Sequence, residues 1–312
     1  MDSLLTAVNA VTPMFLTIAV GYTARRLGLL PDGFLTTLNR LIFTLLLPLK
    51  LFNNIYTSDF GSVFHGKLSV FIVTTTFLSY TVIYALVVFF VKEDSKRGVM
   101  IQALYRSNFV IMGLPIVASL VGESGLGTTS TIVAIVVPIG NVLAIFTLQR
   151  FSGQEHGWNT LLKKICTNPL IIGILLGLIF GLLKIRIPIC VSSTINSLGA
   201  ASTPMALLVL GGLFQFLDVR TEAGEIFWCV FGKLVLIPGV MLVIAIAMGF
   251  RGMDIAIILA YFASPCGPTS FIMAKQMGGN IAIAGGSVVL GCTCSSLTLI
   301  MFAYLLIQFG FM

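Results

Sequence analysis

Two short segments, far apart along the chain, combine helix-breaking residues with hydrogen-bonding side chains. The first leads from Asn108 to Gly113 and Pro115, and the second reads Ser264-Pro265-Cys266-Gly267-Pro268-Thr269-Ser270. Proline removes a backbone donor and clashes with the preceding turn, while glycine lowers helix propensity by about 1 kcal/mol relative to alanine. We therefore predict that the helices containing these segments are interrupted, which leaves backbone N–H groups without partners in the helix.

Interruptions of this kind are suited to binding an anion. A helical segment that begins after a break presents free N–H groups and the positive end of its dipole. We expect such segments to begin near Gly113 and Thr269. For each serine or threonine hydroxyl, the alternative is a bond to the carbonyl of the preceding turn. The predicted substrate-binding residues are Asn108, Gly113, Pro115, Ser264, Pro265, Gly267, Pro268, Thr269 and Ser270.

Several basic residues lie within long apolar runs. A charge inside a membrane is a functional hypothesis by default, so we take Arg106, Lys50, Lys233 and Lys275 as candidate access or coupling charges. For Arg40 and Lys275, the alternative is that the side chain extends to the membrane interface. No acidic residue lies in the middle of an apolar run, which argues against exchange of cations or protons through a buried carboxylate.

The composition places these residues in a membrane. Charged residues make up 9% of the 312 residues, hydrophobic residues make up 57%, and the mean hydropathy is +1.06. A soluble protein carries about 25% charged residues. A soluble enzyme, a nucleic-acid-binding protein and a disordered chain are therefore poor interpretations, despite the net charge of +7. The sequence shows neither a nucleophile–base pair nor a cluster with metal-ligand spacing, so we expect no enzyme, no metal site and no cofactor.

Apolar runs long enough to span a bilayer, roughly 20 residues each, follow one another along the chain. They predict spans at 5–24, 33–56, 68–91, 98–121, 128–150, 164–183, 189–216, 224–249, 253–277 and 281–310. If the spans alternate in direction, one side of the membrane carries most of the basic loop residues. These are Arg25, Arg26, Lys92, Lys96, Arg97, Arg150, Lys163, Lys164 and Arg220. The positive-inside rule makes this side cytoplasmic, and both termini then face outward.

The chain also contains a weak internal repeat with a register of 156 residues, half of its length. Pro48 aligns with Pro204 in this register, and the two breaking segments fall at corresponding places in the halves 1–156 and 157–312. Each half holds an odd number of spans, so the second half enters the membrane from the opposite side. Such inverted repeats are typical of secondary transporters.

Four segments, spread over most of the chain, resemble the auxin efflux carrier family, which includes plant auxin transporters and many bacterial transporters. They are Leu38-Asn39-Arg40-Leu41-Ile42-Phe43 with Leu47-Pro48-Leu49 and Phe52; Asn108 through Pro115; Lys233 with Ile237-Pro238; and Pro265-Cys266-Gly267 with Phe271 and Ala274-Lys275.

The resemblance implies an all-α integral membrane fold, similar to bile-acid symporters and NhaA-type antiporters. Ten transmembrane helices would form two inverted five-helix repeats, with broken helices 4 and 9 crossing. Spans 1, 2, 6 and 7 would form a scaffold, spans 3–5 and 8–10 a transport domain, and alternating access would be elevator-like. The family's substrate-contacting asparagine maps to Asn108, and its crossover prolines map to Pro115 and Pro265. The family's second proline in span nine falls near Ser270, where this chain instead has Pro268, so we expect a different pocket shape.

Together, the residues and the resemblance predict a secondary transporter for a small organic anion, auxin-like or another carboxylate, in a bacterial inner membrane. Two alternatives stay open, a sodium-coupled organic-anion symporter of the bile-acid type and a passive anion channel. The expected partners are the anion, the lipid bilayer and a second copy of the chain in a homodimer, with no nucleic acid. Sodium or proton coupling stays open.

Overall fold

The computed structural model describes residues 2–57, 66–122, 124–152, 167–213 and 220–312. These ranges consist of helices joined by short turns and contain no strand. The α-helices are α1 (Asp2–Arg26), α2 (Asp32–Leu41), α3 (Leu47–Tyr56), α4 (Gly66–Phe90), α5 (Asp94–Tyr105), α6 (Leu114–Val121), α7 (Ser124–Arg150), α8 (Pro169–Leu182), α9 (Ile189–Leu213), α10 (Ala223–Phe231), α11 (Ile237–Ala247), α12 (Met253–Ala263), α13 (Pro268–Gln276) and α14 (Ile281–Gln308). The predicted boundary at 156/157, as well as Lys163 and Lys164, lies outside the described residues.

The described ranges contain seven helices that are long and apolar enough to cross a membrane. Large hydrophobic side chains such as Leu297, Val243 and Phe89 point outward from them. Contact with lipid explains this surface, since a soluble monomer rarely exposes such continuous apolar area. The chain is an integral membrane protein. Its arrangement as a ten-helix inverted repeat stays a prediction.

Three π-helical stretches, Ile42–Leu46, Phe109–Gly113 and Gly232–Leu236, join α2 to α3, lead into α6, and join α10 to α11. Each stretch is followed by a proline in the first turn of the next α-helix: Pro48, Pro115 and Pro238. Proline has no N–H to donate to the preceding turn. The wider turn shifts the pairing of the neighbouring donors, so the helix continues past the proline.

Helices α1, α3, α8 and α9 pack together closely, α3 against α8 and α1 against α9. A Cβ atom added to Gly173 of α8 would lie 2.5 Å from the carbonyl oxygen of Pro48 in α3. Small residues permit such close helix approach in membranes. We call these four helices the packed unit. Outside the packed unit, α12 is buried along most of its length, with every residue from Ile255 to Ala263 shielded.

Candidate functional site

The two predicted helix-breaking segments lie in contact. Residues 106–108 separate α5 from the π-helical stretch that leads into α6, and residues 264–267 separate α12 from α13. The backbone N–H of Asn108 donates to the carbonyl oxygen of Pro265 over 2.8 Å. Positions more than 150 residues apart in the sequence thus share one site.

The helical segments that follow the two interruptions begin at different positions relative to the prolines Pro115 and Pro268. After the 264–267 stretch, α13 begins at Pro268, next to the predicted Thr269. After the 106–108 stretch, helical structure resumes at Phe109, four residues before the predicted start near Gly113. The π-turn explains the difference, because it keeps Gly113 and Pro115 within continuous helix. Gly113 has a packing role there, since a Cβ atom would collide with the ring of Phe109.

Asn108 places an unused hydrogen-bond donor at the meeting point. Its side-chain Nδ2 is buried and has no partner, and the Oγ atom of neighbouring Ser107 is also unpartnered. The amide packs against Gly267, where an added Cβ would lie 3.1 Å from Asn108 Cγ and Oδ1. Buried polar groups are nearly always hydrogen-bonded in native proteins, so these two groups are suited to a bound molecule.

Arg106 connects the first interruption to α13 and α7. Its Nη2 atom donates to Asn141 Oδ1 over 2.7 Å, and longer contacts of 3.4 Å lead from Nη2 to Thr269 Oγ1 and from Nη1 to Ser270 Oγ. Nη1 also lies 3.1 Å from the sulfur of Met273. One bond therefore holds the guanidinium firmly, and the remaining donors are weakly engaged.

A cavity of about 80 Å³ lies beside Arg106. Lys50 of α3 lines it and donates to Thr203 Oγ1 of α9. No carboxylate lines the cavity among the described residues, so both cations give it a positive potential. Its polar and charged lining residues are Lys50, Asn54, Arg106, Ser107, Asn108, Asn141 and Thr269. Pro268 and Met273 are among its apolar lining residues.

The other predicted residues, Gly113, Pro115, Pro265 and Gly267 among them, do not line the described cavity. Ser264 is fully buried and donates to the carbonyl of Ala260 over 2.6 Å, which is the alternative that the sequence left open for each hydroxyl. Ser270 is buried behind Arg106. Lys233 lies within the π-helical stretch Gly232–Leu236, and Lys275 lies in the last turn of α13; neither lines the described cavity.

Sequence reasoning missed Asn141, Ser107 and Asn54. A signal existed for Asn141, because it is an amide within the apolar helix α7, three residues after Pro138. Its side chain donates to the carbonyl of Val137 and accepts from Arg106. Among the residues that the structure describes, no group of three or more His, Cys, Asp and Glu side chains could hold a metal ion.

Comparison with known proteins identifies the family. The profile of the membrane transport protein family matches residues 6–157 and 156–303. An uncharacterized transporter of Methanothermobacter thermautotrophicus is 23% identical over 298 residues, which cover 93% of this chain and 95% of the relative. An uncharacterized transporter of Methanocaldococcus jannaschii is 22% identical over 312 residues, covering 96% and 99%. Auxin efflux carrier component 3 of Arabidopsis thaliana is 32% identical over 136 residues, covering 41% of this chain and 21% of the plant protein. The chain therefore belongs to the membrane transport protein family, the family of the auxin efflux carriers, and is a membrane transporter.

Proposed function

We propose that this protein is a secondary transporter that carries a small organic anion, a carboxylate, through the cavity beside Arg106. The observation that carries this proposal is the combination of two cations, Lys50 and Arg106, with the unpartnered groups of Ser107 and Asn108. A carboxylate supplies the acceptors that these donors lack and offsets the positive charge. An anion is therefore a better occupant than a cation or a neutral solute.

Each of these residues would make a different contact with the bound carboxylate. The weakly engaged Nη1 donors of Arg106 would turn to the carboxylate, while Nη2 remains on Asn141. Asn108 Nδ2 and the Thr269 hydroxyl would donate further hydrogen bonds. The first turn of α13 adds backbone N–H groups and the positive end of its dipole.

We infer elevator-like alternating access from where these residues sit. Lys50 and Thr203 belong to the packed unit of α1, α3, α8 and α9, whereas Arg106 and Thr269 belong to the interrupted segments. The cavity thus lies between the packed unit and the interrupted segments, and we propose that these two bodies slide past each other. We further propose a homodimer, ten transmembrane helices in two inverted repeats and a bacterial inner membrane, as the sequence resemblance implies, with outward termini, as the basic loop residues predict.

Flux through reconstituted protein tests the transport proposal. We expect saturable uptake of radiolabelled malonate, malate or indole-3-acetate into proteoliposomes. Asn108→Ala should abolish most of this flux while the protein still elutes as a folded species. The matched control is Asn196→Ala, which removes an exposed amide whose oxygen accepts a hydrogen bond from Asn53 within the packed unit. Unchanged flux and affinity in Asn108→Ala would remove Asn108 from the site.

The same vesicles separate the alternatives. Conductance that does not saturate with anion concentration would identify a passive channel and overturn the carrier proposal. Flux that follows an imposed sodium gradient would identify the sodium-coupled symporter instead. We expect flux that saturates and is indifferent to sodium.

A cross-link tests the sliding boundary. Asn39 of α2 donates from Nδ2 to Gln276 Oε1 of α13 over 3.3 Å. Since α2 continues through the π-helical stretch Ile42–Leu46 into α3, this hydrogen bond connects a helix attached to the packed unit with the second interrupted segment. Asn39→Cys and Gln276→Cys, joined through two disulfides by a short bis-methanethiosulfonate reagent in a Cys190→Ser background, should stop net flux and leave anion binding intact. Reduction or omission of the reagent should restore flux. Undiminished flux in the cross-linked protein would contradict the elevator motion.

A further inference from the structure

Lys233 is a buried lysine that the proposed binding site does not use. It lies within the π-helical stretch Gly232–Leu236 and is 3% exposed. Across the described ranges, its ammonium makes no hydrogen bond and no ion pair. A buried charge without a partner is strongly disfavoured, so in this state the side chain is stable as the neutral amine. A lysine of this kind can gain and lose a proton as its surroundings change.

Among the described residues, the elements packed around Lys233 carry thiols and phenols, of which Cys266 interacts electrostatically with its amine. The same elements carry the carboxylates of Asp94, which is paired with Arg97, of Asp254 at the start of α12, and of Glu225. Cys229 lies one turn earlier on its own helix, Cys266 lies in the 264–267 stretch, and Cys292 lies on α14. The phenols of Tyr105 on α5 and Tyr261 on α12 are engaged elsewhere, with the carbonyl of Gly140 and with the hydroxyl of Thr76. Glu225, two turns earlier on the helix, is paired with Lys96.

The 264–267 stretch connects Lys233 to the candidate binding site. Cys266 is within electrostatic reach of both Lys233 and Arg106. The neighbouring carbonyl of Pro265 holds Asn108, whose side chain faces the cavity. An anion bound to Asn108 in the cavity would therefore be connected to the amine of Lys233 through this stretch. The negative charge of the anion is the counter-charge that a protonated Lys233 lacks.

We propose that Lys233 is the proton-carrying residue of a proton-coupled anion symporter. This inference rests on the proposed function. The neutral amine takes one proton from water on the open side when the anion binds, and becomes an ammonium. After the anion leaves on the opposite side, the ammonium returns that proton to water there. Linkage is reciprocal: if the anion raises the affinity of Lys233 for a proton, the proton raises the affinity for the anion by the same factor.

Proton uptake on binding tests this assignment directly. Purified protein in weakly buffered detergent solution receives malonate between about pH 6.5 and 9, where carboxylates stay ionised, and an indicator dye reports protons. We expect the wild type to take up a proton with each malonate near the middle of this range. We also expect malonate affinity to rise on the order of 100-fold as the pH falls, near the upper end of the usual range of coupling factors, because a smaller coupling factor would take up much less than one proton.

Two substitutions at the same position separate charge from structure. Lys233→Met should take up no proton and should bind malonate weakly at every pH. Lys233→Arg carries a fixed charge, so it should also take up no proton but should bind tightly at every pH. The matched control is Lys92→Met, which removes an exposed loop lysine and should behave as the wild type does.

The outcomes distinguish the two proposals. Wild-type binding with no proton uptake and with an affinity that pH does not change would overturn the role of Lys233 and leave the transporter proposal standing. Proton uptake that persists in both Lys233→Met and Lys233→Arg would assign the proton to another group and would also overturn it. If malonate, malate and indole-3-acetate all fail to bind, the proposed function fails together with this inference.

Discussion

Replacing Arg106 with glutamine tests the step on which the proposed binding mode depends most. This step is that the Arg106 guanidinium is positioned to bind a carboxylate. In the structure only the 2.7 Å bond to Asn141 is strong, while the contacts to Thr269 and Ser270 are 3.4 Å long. A bound anion would thus gain a charge-assisted bond from donors that lose little by turning toward it. Hydrogen bonds to charged groups contribute about 1.5–3 kcal/mol.

This free energy sets the expected change in affinity. Because about 1.4 kcal/mol corresponds to a factor of ten, Arg106→Gln should weaken malonate binding by roughly 10- to 150-fold. Arg106→Lys keeps the charge but lacks the planar guanidinium group, so its malonate affinity should lie between the affinities of the wild type and Arg106→Gln. Equilibrium binding of radiolabelled malonate to purified protein measures all three affinities.

The control is Arg26→Gln, which removes an exposed arginine at the end of α1 that contacts Tyr22. Its affinity should equal that of the wild type. Melting temperatures establish that each variant is folded. If folded Arg106→Gln binds malonate within a factor of two of the wild type, the guanidinium makes no bond to the anion and the reasoning from its weakly engaged donors is wrong.

Two further substitutions probe the contact between the two interrupted segments and the ion pairs of Lys96. Gly267→Ala places a methyl group 3.1 Å from the Asn108 amide and should displace it, weakening malonate affinity on the order of 3- to 10-fold. The control is Gly127→Ala, where a Cβ meets no atom within 4 Å and the affinity should not change. Equal malonate affinities of Gly267→Ala and the wild type would contradict this geometry. Lys96→Met removes a lysine whose pKa is raised by hydrogen bonds from its Nζ to two glutamates, 2.6 and 2.8 Å long. A pKa that is raised in the folded state stabilises the fold at pH values below the unfolded-state pKa of about 10.4. Lys96→Met should therefore lower the melting temperature by about 2–4 °C. This decrease should be constant from neutral pH up to that pKa and should become smaller only above it. Lys92→Met is the control, and a loss no larger than in this control would show that the ion pairs contribute nothing.

The sequence predicted the positions of the helices well because their apolar runs are long and are ended by polar turns. The predicted span 68–91 corresponds to α4, Gly66–Phe90, and the predicted span 281–310 corresponds to α14, Ile281–Gln308. The interruption at 264–267 was also predictable, since two prolines flank a glycine there. Local chemistry decides each of these features, and local chemistry is visible in one sequence.

The partners of the site residues were less predictable, because they depend on long-range packing. Arg106 was expected on an access path, and in the structure it lines the cavity through bonds to α7 and α13. Arg106 and Asn141 are 35 residues apart in the sequence, and Arg106 and Thr269 are 163 residues apart. Likewise, Ser264 and Thr269 are both polar residues beside a proline, yet only Thr269 lines the cavity. Which hydroxyl faces the cavity depends on where α12 ends, at Ala263, and where α13 begins, at Pro268.

The π-helical stretches join the predictable and the unpredictable parts of this molecule. A proline inside an apolar run predicts a kink, but the sequence alone does not say whether the backbone bends, breaks or widens. Here the backbone widens ahead of Pro48, Pro115 and Pro238, and at each place a polar or charged residue lies nearby. Lys50 follows Pro48 by two residues, Asn108 precedes one π-helical stretch, and Lys233 lies within another. Wide turns are frequent at functional sites because they loosen the regular pairing of the backbone. Binding and coupling are proposed to depend on these polar and charged residues. The positions of the three prolines therefore indicate these residues more precisely than the hydropathy pattern does.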